Sequence, residues 1–243
     1  MRTIRIYIDT PLIIDTTIEL DRQAASHLTR VLRLRNNDCF TVFNGSDGEY
    51  TAQLVLDNKK SFAKIISHKN TTTQSCISIT LLQCISKGDR MDFAIQKATE
   101  LGTNTIIPII SEHTVVNLKE DRWEKKLNHW QSVAISACEQ CGRNDIPDIR
   151  SPITLQEQLA NTMTGTKLIF DPLSKTSFSS IKPETTHFWL LIGPEGGLSE
   201  REIMHAKESG FSGIKIGQRI LRTETAALAG ITAIQTLWGD FRS

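Results

Sequence analysis

The 243-residue chain has no excess of either charge, with 28 Lys and Arg against 27 Asp and Glu. The whole-molecule field therefore gives no pull towards a polyanion, although a local basic patch would be enough for nucleic acid. Residues 1–70 carry ten basic and eight acidic side chains and the remainder eighteen and nineteen, a split of +2 against −1 that decides nothing by itself. No stretch approaches the roughly 18 consecutive apolar residues of a membrane span. The N-terminus, Met1-Arg2-Thr3-Ile4-Arg5-Ile6-Tyr7-Ile8-Asp9, alternates like a strand and lacks the apolar segment of a secretory signal. Cysteine is scarce and odd in number, five in all; without a secretion signal, reduced thiols in a cytoplasmic protein are expected. Cys138-Glu139-Gln140-Cys141 has no second pair, no His at finger spacing and no H-x-E partner, so no metal site is expected there. It reads instead as the end of a long helix stopped by Gly142. His68, His113, His129, His187 and His205 show no ligand or triad spacing.

What is present falls into two halves. The first seventy residues favour strands, at Arg2–Ile8, Cys39–Phe43, Glu49–Leu56 and Phe62–Ser67, with Gly45-Ser46-Asp47-Gly48 as a turn. One helix interrupts them, from about Arg22 to Leu34, with Asp21 as its N-cap. This pattern predicts a small β-barrel or sandwich with one helix over residues 1–70. Lys69-Asn70-Thr71-Thr72-Thr73-Gln74-Ser75 is polar and aperiodic and is the linker candidate. From residue 74 to 243 strands and helices alternate: strands at Ile77–Gln83, Thr105–Ile110, Lys167–Phe170, His187–Ile192 and Gly213–Ile216, helices at Arg90–Leu101, Arg122–Cys141, Glu200–Ser209 and Thr225–Trp238. Such alternation predicts an α/β domain with a parallel sheet wrapped by helices.

Two loops stand out in the α/β half. Leu190-Leu191-Ile192-Gly193-Pro194-Glu195-Gly196-Gly197-Leu198-Ser199-Glu200-Arg201-Glu202 runs from an apolar strand through a glycine loop into the S-x-x-E start of a helix. Open α/β sheets bind ligands at that kind of position, the carboxyl end of a strand. The loop is neither G-x-G-x-x-G nor G-x-x-x-x-G-K-[ST], which argues against a dinucleotide or a nucleoside triphosphate. The second loop, Ile216-Gly217-Gln218-Arg219-Ile220-Leu221-Arg222-Thr223-Glu224-Thr225-Ala226, also leads from a strand into a helix, with Thr223 or Thr225 as its cap. Arg222 and Glu224 suit either a reactive site or a structural ion pair at a helix start. The helix that follows is apolar nearly all round, as expected of a core or subunit-interface helix.

Gly193-Pro194-Glu195-Gly196-Gly197-Leu198-Ser199 together with Ile220-Leu221-Arg222-Thr223-Glu224-Thr225-Ala226 resembles the motif pair of the ribosomal RNA small subunit methyltransferase E (RsmE) family. Gln96-Lys97-Ala98-Thr99-Glu100-Leu101-Gly102, Ala137-Cys138-Glu139-Gln140-Cys141-Gly142-Arg143 and His27-Leu28-Thr29-Arg30-Val31-Leu32-Arg33 are similar to further motifs of that family, in order along the chain. The chain departs from it at His113, where relatives usually carry arginine, and Gln218 stands at a variable position.

The resemblance implies an N-terminal PUA-like β-barrel domain (residues 1–70) and a SPOUT α/β methyltransferase domain (residues 74–243) with a C-terminal trefoil knot. It implies a cytoplasmic homodimer that uses S-adenosylmethionine to methylate N3 of a uridine in 16S, small-subunit, ribosomal RNA, and no metal. The other readings are a non-catalytic RNA-binding assembly factor, or a SPOUT enzyme acting on a ribose 2′-O or a tRNA base. By the resemblance, the cofactor pocket is lined by Phe170 and Asp171, by Leu191, Gly193, Pro194, Glu195, Gly196 and Gly197, and by Ile216, Gly217, Ile220, Leu221 and Thr223. Methylation at N3 needs removal of the N3 proton and stabilisation of charge on the flanking oxygens. Arg222 fits the electrostatic role, while Glu224, Glu195 or a water fits the role of base. Arg22, His27, Arg30, Arg33 and Arg35 on or beside the first helix, with Arg143, are the RNA-contact candidates.

Overall fold

The computed structural model describes residues 4–58, 60–114 and 120–242. The chain forms two compact units, Met1–Gln74 with Cys138–Ile146, and Ser75–Ala137 with Pro147–Ser243.

The first unit contains β1 (Arg5–Tyr7), β2 (Thr17–Glu19), α1 (Arg22–Ser26), β3 (Cys39–Phe43), β4 (Glu49–Asp57) and β5 (Lys60–Lys69). Of the strand expected over Arg2–Ile8, Arg2 and Thr3 lie outside the described residues. The five strands form one sheet in the order β1-β3-β4-β5-β2, antiparallel except where β1 meets β3. Period-two alternation sets its faces: Tyr50, Ala52 and Leu54 of β4 turn inward to a core with Leu28, Val42 and Ile65. Asp21 caps α1, accepting the Ala24 N–H at 2.7 Å. The expected helix does not continue to Leu34. His27–Val31 forms a π turn, in which the Leu32 N–H reaches the His27 carbonyl, and Arg33 then takes a left-handed backbone at φ 58°. The wider turn puts Leu28 fully in the core and leaves Val31 64% exposed.

Cys138–Ile146 joins this unit through side chains. Arg5 donates to the Arg143 carbonyl at 3.2 Å and to Asn144 Oδ1 at 2.6 Å, and Asn144 donates to the Thr71 carbonyl at 3.1 Å. Glu139 accepts the Tyr7 N–H at 3.0 Å; burial pushes its carboxyl above the ordinary range. Cys138 is buried, donates to the Asp145 carbonyl, and has its thiol pushed up to about 12 by burial.

The second unit contains β6 (Ser78–Cys84), α2 (Asp89–Glu100), β7 (Thr105–Ile110), α3 (Glu120–Cys141, whose last residues belong to the first unit), β8 (Asp148–Ile149), β9 (Ile153–Thr154) and α4 (Leu155–Ala160). β10 (Thr166–Phe170), β11 (His187–Ile192), α5 (Glu200–Glu208), β12 (Ser212–Ile214) and α6 (Thr223–Trp238) complete it. Its seven strands are parallel, in the order β12-β10-β11-β6-β7-β8 with β9 also on β7. β6 and β11 are apolar on both faces, as strands covered by helices on either side must be. Leu81, Leu190 and Ile192 feed one core cluster, and Leu82, Leu191 and Ile169 feed the other. Against the first face α6 lies close: a Cβ on Gly230 would come within 2.7 Å of Leu190 and 2.9 Å of Phe170. No helix among the described residues is long and apolar enough to cross a membrane.

Candidate active site

The carboxyl ends of the neighbouring strands β10, β11 and β12 release loops around a cavity of about 600 Å³, of ordinary size for a small ligand. Its apolar wall includes Ile192, Leu198, Ile214, Ile216 and Ala226, and Arg90, Lys215, Arg219 and Arg222 bring positive charge to it. Phe170, Asp171, Gly193, Pro194, Glu195, Gly197, Ile216, Gly217, Ile220, Leu221 and Thr223 all line it. Gly197 and Gly217 have φ of 73° and 68°, conformations that cost a residue with a Cβ.

Each loop is fixed by identifiable contacts. In the first, Asp171 is 3% exposed and accepts from Lys207 at 2.7 Å and from the Leu173 N–H at 2.9 Å. Burial opposes its ionisation, but Lys207 and the loop amides outweigh it and hold the carboxyl below its ordinary range. The glycine loop is closed by a Gly197 N–H to Pro194 carbonyl bond of 2.9 Å. His113 Nδ1 lies 3.0 Å from the Gly197 carbonyl, so this imidazole packs on the glycine loop. Ser199 and Glu202 form the expected capping box of α5, and Glu202 also accepts the Glu112 N–H at 2.9 Å. The third loop is tied to the first by the Lys215 N–H to Thr176 carbonyl bond of 2.9 Å.

Glu195 is not a free carboxylate. Arg90 donates to it at 2.8 Å and the Lys87 N–H at 3.4 Å. Burial works against its charge, but its own backbone amide, Arg90 and Lys87 together bring its carboxyl below the ordinary range. The sequence gives no sign of Arg90 here, because a basic residue in the first turn of a helix carries no local signal of a partner 105 residues away. Arg222 occupies the N-cap position of α6, exposed, with no side-chain capping bond. No ion pair among the described residues joins it to Glu224 or to another carboxylate, so the structural pairing considered from sequence is not formed. Glu224 is half-buried, lies off the cavity wall, and keeps a buried Oε2 without a hydrogen-bond partner among the described residues. Leu191 sits in the core, and Gly196 backs onto His113, where a Cβ would come within 3.2 Å of the His113 Cβ. Neither Thr223 nor Thr225 caps α6; the Thr223 hydroxyl donates instead to the Gly193 carbonyl at 2.7 Å.

In the first unit Arg22, His27, Arg30, Arg33 and Arg35 are all exposed. Arg22 and Arg30 line one shallow groove of about 370 Å³ with Thr29, Lys60 and Ser61. Arg143 stands apart: it is 6% exposed and ion-paired with Asp145, so its charge is already met inside the fold. Among the described residues no group of His, Cys, Asp and Glu is placed to hold a metal.

Comparison with known proteins adds the following. The family described as RNA methyltransferase domain matches residues 73–235, and that described as RNA methyltransferase PUA domain matches residues 20–67. The ribosomal RNA small subunit methyltransferase E of Buchnera aphidicola subsp. Schizaphis graminum is 38% identical over 238 residues, 97% of each chain. A Neisseria gonorrhoeae protein of the same name, solved bound to S-adenosylmethionine, is 41% identical with a TM-score of 0.91 and coverage of 98% and 99% of the two chains. A Legionella pneumophila protein described as a methyltransferase, solved in complex with the same cofactor, is 37% identical with a TM-score of 0.95, covering 99% of this chain and all of the other. A cavity built from glycine loops and apolar side chains, with no lysine following the glycines, suits a nucleoside carrying an amino-acid tail.

Proposed function

The chain belongs to the ribosomal RNA small subunit methyltransferase E family, and from that membership we propose that it methylates N3 of a uridine in small-subunit ribosomal RNA, using S-adenosylmethionine. The observation that carries this reading is the cavity where the β10, β11 and β12 loops meet, with Arg222 beside it. When bound there, S-adenosylmethionine supplies an electrophilic methyl group; the protein contributes binding, orientation and electrostatics. Phe170, Gly193, Pro194, Gly197, Ile216, Gly217 and Leu221 are the residues we assign to holding it, with Asp171 fixing the loop of Phe170.

At uridine N3 one bond forms to carbon, the carbon–sulfur bond breaks, and the N3 proton must be accepted. Arg222, exposed and without a carboxylate partner among the described residues, stabilises the charge that develops on the uracil oxygens. Glu195 is committed to Arg90 and Glu224 lies off the cavity wall with its Oε2 buried, so a water takes the proton, with Glu224 acting through that water. The exposed Arg22, His27, Arg30, Arg33 and Arg35 would grip RNA phosphates. The division into an RNA-binding PUA-like domain (1–70) and a catalytic domain (74–243), the C-terminal trefoil knot, the homodimer and the cytoplasmic setting belong to the same proposal. They are supported by the resemblance; α6 itself turns Ala226, Ala227, Ile231 and Ile234 into the core and leaves only Leu237 among its large apolar side chains exposed. Calorimetry with S-adenosylmethionine tests the reading: micromolar-class binding that depends on the cavity is expected, whereas no binding would favour an RNA-binding assembly factor.

A further inference from the structure

We infer that Gln83 is a positioning residue of the cofactor site, holding the Gly193 carbonyl in place through the hydroxyl of Thr223. Gln83 lies near the end of β6 and is fully buried, the one amide in an otherwise apolar run, Leu81-Leu82-Gln83-Cys84-Ile85. Its Nε2 is 3.1 Å from the Cys84 carbonyl and 2.9 Å from Thr223 Oγ1, and Thr223 Oγ1 is 2.7 Å from the Gly193 carbonyl.

The direction of this chain is fixed from both ends. A carbonyl only accepts, so the Gln83 atom facing Cys84 must be its NH₂ group. Its second N–H then points at Thr223. The Gly193 carbonyl also only accepts, so the single Thr223 proton goes there. Every donor is used and each element is tied to the next: the floor strand β6, the first turn of α6 and the glycine loop. Meanwhile Gln83 Oε1 is buried with no partner among the described residues. Packing alone would not retain an amide with an unmet acceptor in that position, because a buried acceptor without a donor is destabilising. The chain also explains why Thr223 does not cap α6 although its residue type suits a cap. Arg222 immediately precedes Thr223, so the same link sets where the helix begins and where the Arg222 side chain departs.

The inference rests on the reading of the cavity as a cofactor site, and its test separates the two. S-Adenosylmethionine dissociation constants and single-turnover methyl transfer are measured for the parent, Gln83→Met, Thr223→Val, Thr223→Ser and the Gln83→Met/Thr223→Val double variant. Cofactor binding should weaken about ten-fold in Gln83→Met and in Thr223→Val, the scale of one lost buried hydrogen bond. The double variant should bind no worse than Thr223→Val alone, because both changes cut one chain. Thr223→Ser, which keeps the hydroxyl, should restore most of the affinity lost in Thr223→Val; a role in packing alone would not depend on the hydroxyl. Should Gln83→Met fail to fold, the Val and Ser pair reads the same link from its other end. Unchanged affinity in Thr223→Val, or losses that multiply in the double variant, would overturn the inference. A parent protein that binds no S-adenosylmethionine would overturn the cofactor reading instead.

Discussion

Arg90 and Arg222 both line the cavity, yet Arg90 is spent on Glu195 at 2.8 Å while Arg222 has no carboxylate partner among the described residues. A guanidinium available to a substrate stabilises developing charge; one already neutralised mainly holds its partner in place. Replacing Arg222 with Ala should therefore lower kcat by about 10²–10³-fold, the usual cost of one such donor, while the S-adenosylmethionine dissociation constant stays close to that of the parent. Single-turnover kinetics beside calorimetry checks this. Glu195 leads to a different expectation. Its folded carboxyl is held below the ordinary value, so it is ionised throughout neutral pH, and whatever its pair contributes is lost only as pH falls through that lowered value. Glu195→Gln should leave the shape of the rate–pH profile across neutral and alkaline pH unchanged; a displaced limb would make Glu195 the base. The motif residues themselves were legible from the sequence, since glycines, Arg222 and Thr223 stand in contiguous loops. Gln83 and Arg90 were not, because each acts on a residue more than a hundred positions away. The only local trace of Gln83 is an amide among apolar neighbours.

The arginine-bearing element illustrates how an added residue in one turn redirects side chains. The π turn buries Leu28 and, with the left-handed Arg33, presents Arg30, Arg33 and Arg35 outward. Arg30→Ala and Arg33→Ala should each reduce the slope of log K for RNA against log salt by about one unit if both meet phosphates. Filter-binding titrations over a salt series give that slope. Arg143 should behave otherwise. Its removal leaves the half-buried Asp145 without that charge partner, so Arg143→Met should lower stability in denaturant titrations by up to about 3 kcal/mol and leave the salt slope unaltered. Strong local signals made most elements readable: the Ser199–Glu202 capping box, Asp21 as a cap, and the apolar runs of β6, β7 and β11 all have short-range causes. The π turn has none, because hydrogen bonds to the fifth residue back follow from core packing around Leu28. β2, β8 and β9 are two- or three-residue strands set by their neighbours in the sheet, too short to carry a period. α4 is a turn and a half opened by the Thr154–Glu157 capping box, and six residues are too few to carry a helical period.

At the scale of the molecule, the alternation of strands and helices after residue 74 predicts the parallel α/β unit, and its strand order brings three ligand loops side by side. Sequence periodicity could not foresee that Cys138–Ile146 belongs with the first unit, since that assignment depends on Arg5 and Asn144 meeting across the chain. The family resemblance reached further than periodicity did, because it drew on ordered motifs from His27 to Ala226. Its finest claim is the methylated atom, which no feature of the cavity specifies alone. Labelled methyl transfer from S-adenosylmethionine to small ribosomal subunits lacking the modification, followed by mass spectrometry of the digested RNA, tests that claim most directly. One methyl at N3 of a single uridine, formed far more slowly with Arg222→Ala, is the expected result. A methyl on a ribose 2′-oxygen, at uracil C5 or on tRNA, or none at all, would contradict it.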